Sequence, residues 1–263
     1  MPIHLTPTFR ERLAAADRPL VGGWVCSGSP VMAEVMAGGG LDVLLIDMEH
    51  APNGLESVLA QLHAASGYEV TPIVRVPSAD PVIIKQVLDL GAQNILVPMV
   101  STAQEARDVA AAAQYPPAGR RGIGSALARS GRWSRVPGYL ARGSEHVSVF
   151  VQIETVEGVE NAETIAGVDG IDGIFLGPSD LSASLGLLGQ QTHPDVVAAV
   201  ERSFAAGRAA GVPVGVNAFD PDVARGYVAA GADWILVGAD VSLAARGVER
   251  LAAEFIPSSP AGA

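Results

Sequence analysis

Short apolar runs alternate along this chain with longer stretches whose apolar residues recur every three or four positions. The runs are rich in Val, Ile and Leu and lack polar alternation, as expected of strands buried on both faces. They fall at Leu20–Val25, Val43–Asp47, Thr71–Val76, Asn94–Val97, Val147–Ile153, Gly173–Leu176, Pro213–Val216 and Trp234–Val237, eight in all. Between them, Gly54–Ala65, Pro81–Leu90, Ala103–Ala113, His193–Ala210 and Pro221–Ala230 carry the helical period, Pro81 standing behind a Ser78/Asp80 cap. A weak repeat supports the count: GLDVLLID (40–47), GAQNILVP (91–98), GIDGIFLG (170–177) and GADWILVG (231–238). Each opens with the glycine that ends a helix in the left-handed conformation and continues into a strand. The pattern predicts an α/β fold, a closed (β/α)₈ TIM barrel forming one domain over residues 1–263, with a disordered tail from about Pro257.

Composition narrows the partners. A net charge of −11 with only 17 Lys plus Arg argues against nucleic acid or an anionic membrane surface. The hydrophobic share of 49% fits buried parallel strands, with subunit interfaces a second source, and no run of about 18 uncharged apolar residues suggests a membrane span. Cys26 is the only cysteine, which excludes an intrachain disulfide and thiolate metal clusters. MPIHLTPTFRERL lacks an apolar signal core, so a cytoplasmic location is expected.

One connection breaks the rhythm. Gln114–His146 is too long for a simple loop, and long loops on a barrel's catalytic face are usually functional. Its Gly122-Ile-Gly124 is weak evidence for a phosphate turn, and a surface excursion with solvated arginines explains it equally well.

The residues after each strand form a chemical set. Asp47-Met48-Glu49-His50 follows the second, Arg75 lies within the third and is followed by Val-Pro, Gln152 and Glu154 come with the fifth, and Gly177-Pro178-Ser179-Asp180 follows the sixth. Acids at successive strand ends converge on one mouth of an α/β barrel, where two hard oxygen ligands suit a divalent cation. The plainer alternative makes Glu154 an N-cap neighbour and Asp180 the cap of the following helix. His50 directly follows a strand end and has the imidazole a general base needs. Arg75 either holds a carboxylate or enolate oxygen with its fork or pairs structurally with Asp47 or Glu49. Together with helix-start amides at Gly177-Pro-Ser, these groups describe a site for a 2-oxo acid. A Schiff-base mechanism would need a lysine, and Lys85, the only one, lies mid-helix four residues before Asp89, where an intrahelical ion pair is the plain reading.

At LLIDMEHAPN (44–53), VRVP (74–77), KQVLDLGAQNILVPMV (85–100), YPPAGRRGIGSALARSGRW (115–133), VQIET (151–155) and GIFLGPSDLSASLG (173–186) the chain resembles a known family. These are the metal-dependent (class II) pyruvate aldolases of the hydroxy-oxo-heptanedioate and 2-dehydro-3-deoxy-sugar-acid aldolase type, relatives of the citrate lyase β chain. The resemblance implies reversible cleavage of a 4-hydroxy-2-oxo acid to pyruvate and an aldehyde through a metal-bound enolate. It implies Glu154 and Asp180 as ligands of Mg²⁺ or Mn²⁺, with Co²⁺ or Zn²⁺ as further candidates, and Gln152 lining the metal site. It gives Arg75 the substrate oxo group, His50 the proton transfer, and the Gly177 and Ser179 amides the pyruvate carboxylate. Asp89 would support His50 from a neighbouring subunit, and the assembly would be a homo-hexamer, a trimer of dimers. Met48 stands where many such aldolases carry Gly and Ser179 where Ala is frequent, and Met48 beside the base could alter the aldehyde pocket. Two rival readings are a citramalyl- or malyl-CoA-type lyase, disfavoured by the scarcity of basic residues, and a non-catalytic 2-oxo-acid-binding protein.

Overall fold

The computed structural model describes residue 3 and residues 5–256; the tail expected from Pro257 lies outside the described residues. Eight parallel strands close on themselves in chain order: β1 Leu20–Val25, β2 Val43–Asp47, β3 Thr71–Arg75, β4 Asn94–Val97, β5 Ser148–Ile153, β6 Gly173–Leu176, β7 Val214–Asn217 and β8 Trp234–Ala239. All eight predicted strands are present, with ends displaced by no more than two residues. The helices are α1 Phe9–Ala15, α2 Pro30–Ala37, α3 Leu55–Ala65, α4 Pro81–Asp89, α5 Ala103–Ala113, α6 Val156–Glu160, α7 Ala162–Ala166, α8 Pro178–Ser184, α9 Pro194–Ala210, α10 Pro221–Ala229 and α11 Asp240–Phe255. The expected Asp80 cap forms, its carboxylate accepting the Val82 N–H at 2.6 Å. The repeat glycines Gly40, Gly91, Gly170 and Gly231 all have φ between 84° and 102°. Each turns the chain from helix to strand in a conformation that a Cβ would strain.

Strand alternation sorts the core into two layers. Outward-facing residues such as Leu44, Ile46, Val74, Ile95, Val151 and Ile174 pack against the helices. Inward-facing Leu20, Val43, Leu45, Ile73, Leu96, Phe150, Phe175, Trp234 and Leu236 fill the lumen, and Phe9 of α1 joins them. Phe9 meets Phe150 at 5.1 Å and Trp234 at 5.0 Å between ring centroids, so α1 stops the N-terminal end with aromatic contacts. The next inward residues along the same strands are Asp47, Arg75, Gln152 and Gly177. The lumen therefore passes from hydrocarbon to charge towards the C-terminal mouth. Met48 has the opposite parity. It packs in the outer layer, away from the lumen, so the aldehyde-pocket role expected for it is not supported.

Candidate active site

Asp47 and Arg75 are register partners on β2 and β3, which places both side chains on the same inward face. Arg75 Nε and Nη2 each donate to Asp47 at 2.8 Å, and Nη1 lies 2.8 Å from Glu49 Oε2 in poor hydrogen-bond alignment. The guanidinium also stacks 4.3 Å from the centroid of the Trp24 ring on β1. Trp24 is itself fixed by donating to Asn217 Oδ1 at 2.7 Å. The structural expectation for Arg75 is met, since it pairs with Asp47 and lies against Glu49; a guanidinium has five N–H groups, so this pairing does not use them all. Glu49 Oε2 is also 3.9 Å from His50 Nε2, so this acid spans the arginine and the imidazole. His50 is otherwise open, its side chain 65% exposed.

Glu154 leaves β5 at the centre of the mouth and is 3% exposed. Its Oε1 accepts the Met99 N–H at 2.8 Å and its Oε2 accepts from Gln152 Nε2 at 2.5 Å. Met99 delivers that N–H from a left-handed backbone, φ 58°, which is unusual for a residue with a side chain. Burial pushes the Glu154 carboxyl up to about 7; the two donors oppose this, and the negative charges of Asp180 and Glu49 add to it. Glu49 is likewise raised by burial, against the pull of Arg75. Gln152 Oε1 is buried with no hydrogen-bond partner. A Cβ on Gly177 would stand 2.8 Å from Glu154 Oε2 and 2.9 Å from Gln152 Nε2, so glycine keeps this cradle open.

Glu154 is the N-cap neighbour that the plainer alternative expects, since Thr155 caps α6, but its carboxylate bonds to Met99 and Gln152. Asp180 is not the cap expected for it: it lies within the first turn of α8, whose N-cap is Gly177. Gly177 supplies no side-chain cap to that turn, although its own N–H is already taken by the Ile153 carbonyl at 3.3 Å. Of the two amides expected to receive a carboxylate, the Ser179 N–H is the better candidate. Glu154, Asp180, Glu49, Gln152, Arg75 and His50 thus share one mouth. Asp89 does not join them within the chain. It pairs with Arg121 at 2.7 Å, and no Lys85–Asp89 ion pair forms among the described residues. Trp24 and the Met99 amide carry no signal of their roles in the sequence. A strand-end tryptophan reads as core, and nothing in a sequence marks a non-glycine residue in a left-handed turn.

The family model described as HpcH/HpaI aldolase/citrate lyase matches residues 20–247. The chain belongs to that family. A curated relative from Salmonella arizonae named 4-hydroxy-2-oxo-heptane-1,7-dioate aldolase is 50% identical over 247 residues, 94% of each chain. The crystal structure of an HpcH/HpaI aldolase/citrate lyase family protein from Burkholderia cenocepacia J2315 is 40% identical, covers 95% of this chain and 99% of its own, and superposes with a TM-score of 0.90. A citrate synthase structure, 28% identical and covering 94% and 96%, reaches 0.83. Membership of the HpcH/HpaI family makes this protein an enzyme of the aldolase type, while the citrate synthase shows that the same barrel carries more than one carbon–carbon chemistry.

Proposed function

We propose that this aldolase is of the divalent-metal-dependent class and cleaves a 4-hydroxy-2-oxo acid to pyruvate and an aldehyde. The observation that carries the reading is the Glu154 cradle: a buried carboxylate at about 7, facing two more acids and an unpartnered amide oxygen beside a glycine that leaves room for an ion. Glu154 and Asp180 would hold the ion and Gln152 Oε1 could face it; these are hard oxygen donors of the kind Mg²⁺ or Mn²⁺ prefers. No three His, Cys, Asp or Glu side chains form a ready cage among the described residues. When bound, the ion supplies Lewis acidity toward the substrate carboxylate and oxo group.

The chain's own groups account for the proton and charge movements. His50 removes the C4 hydroxyl proton, the C3–C4 bond breaks, and the aldehyde departs. Arg75, held by Asp47 and Trp24, steadies the charge that gathers on the oxo oxygen. His50 then returns a proton to C3, which completes pyruvate. Ser179 N–H, with Gly177 shaping the cradle, receives the pyruvate carboxylate, and Asp89 of a second copy supports His50 in a homo-hexamer. The relatives' substrate, 4-hydroxy-2-oxo-heptane-1,7-dioate, is the first to assay. Release of pyruvate with added Mn²⁺ or Mg²⁺ is expected; cleavage of a malyl-CoA-type thioester in place of every 4-hydroxy-2-oxo acid would overturn the proposal.

A further inference from the structure

The long connection between β4 and β5 does not simply present its arginines to solvent. Arg121 has a side chain that is 0% exposed, and its guanidinium lies 4.6 Å from the centroid of the Tyr115 ring. Among the described residues its only carboxylate contact is Nη2 to Asp89 Oδ1 at 2.7 Å, while Nε and Nη1 are buried without partners there. Arg75, by contrast, meets two carboxylates with three nitrogens. Burying a guanidinium against one partly exposed acid is a poor way to gain stability, since desolvation outweighs a single pairing. What the contact achieves is control of Asp89. This residue ends α4, its backbone carbonyl accepts the Ser130 N–H at 3.2 Å, and Arg121 fixes one of its carboxylate oxygens. Asp89 then borders an open groove of about 530 Å³ whose walls include Leu55, Leu59, Leu127 and Trp133.

We propose that Arg121 is a positioning residue for the aldol reaction, acting through Asp89: by holding Oδ1 it presents the carboxylate to the groove, where the His50 imidazole of a second copy would donate to it. The inference rests on the reading of Asp89 given above. It accounts for a buried arginine in the turn-rich part of that connection.

The test compares Asp89→Asn, Arg121→Met, Arg121→Lys and the Asp89→Asn/Arg121→Met double variant in the full-length, metal-loaded enzyme. Each is followed by pyruvate α-proton exchange in deuterated water, pyruvate KM and circular dichroism. Arg121→Met should lower the exchange kcat by about 10²-fold, the cost of a misplaced catalytic group, with pyruvate KM little changed. Arg121→Lys should recover part of the loss, and the double variant should be no slower than Asp89→Asn alone. Multiplying losses in the double variant, or an Arg121→Met enzyme at full kcat beside an impaired Asp89→Asn, would overturn the proposal and leave the Asp89 reading standing. Full turnover in Asp89→Asn would overturn both. If Arg121→Met does not fold, Arg121→Lys decides: a folded enzyme with lowered kcat and unchanged KM supports positioning, and a rise in KM alone contradicts it.

Discussion

The two ends of the barrel lumen are built from the same strands and obey opposite rules. At the N-terminal end Phe9, Phe150, Phe175 and Trp234 are fully buried and touch one another ring to ring. One inward position further along come Asp47, Arg75, Gln152 and the cradle glycine Gly177, with Glu154 just past the end of β5. The bottom gains from excluding water and polar groups. The mouth keeps unsatisfied and like-charged groups together, an arrangement that opposes stability and suits a cation and an anionic substrate. The difference teaches that stability and chemistry are separated along the barrel axis, so each can be damaged alone.

That separation can be broken from the mouth first. Glu154→Gln or Asp180→Asn should abolish cleavage and weaken Mn²⁺ binding, and in Glu154→Gln the Tm should hold or rise, because a buried, crowded acid is removed; turnover and metal affinity near wild type would misplace the site. His50→Ala should slow cleavage and pyruvate proton exchange by about 10²–10⁴-fold with pyruvate binding intact. A variant that loses binding but keeps kcat would make His50 a binding group. From the bottom, Phe150→Ala should cost about 3–5 kcal/mol of stability in denaturant titration, with pyruvate KM unchanged in the folded fraction; a KM shift would couple the two ends.

A smaller effect sharpens the comparison through pH. The folded protein holds the Glu154 proton up to about 7, above its ordinary value of 4.5. The metal-free protein should therefore lose stability as pH rises through that window, since folding takes up the proton there. A metal must displace that proton, so Mn²⁺ affinity should fall about tenfold per unit below pH 7 and level off above it. Calorimetry in buffers of different ionisation enthalpy measures the released proton, and pH-independent affinity would contradict the assignment.

The barrel was legible because its signals are local. Unbroken Val, Ile and Leu runs, and glycines such as Gly91 and Gly231 that must turn left-handed, mark each strand without knowledge of its neighbours. The strand-end acids were legible for the same reason. Met48 shows a misreading the sequence could have avoided: its parity opposite Asp47 already turns it outward. Arg121 and Met99 show what depends on tertiary packing. A turn-rich stretch with several arginines looks solvated until the chain folds one of them under Tyr115. The helix α11 is absent from the helices expected above, and its Leu243, Leu251 and Phe255 stay exposed.

The central claim is that catalysis rests on an ion held by Glu154 and Asp180 and not on a lysine imine. The chain has a single lysine, Lys85, on α4 and away from the strand ends. Turnover after chelation, measured alongside borohydride treatment with pyruvate, tests the claim most directly. Activity should vanish with chelator, return with Mn²⁺ or Mg²⁺, and survive both borohydride and Lys85→Arg. Borohydride trapping of pyruvate on Lys85, or full turnover in chelator, would contradict it.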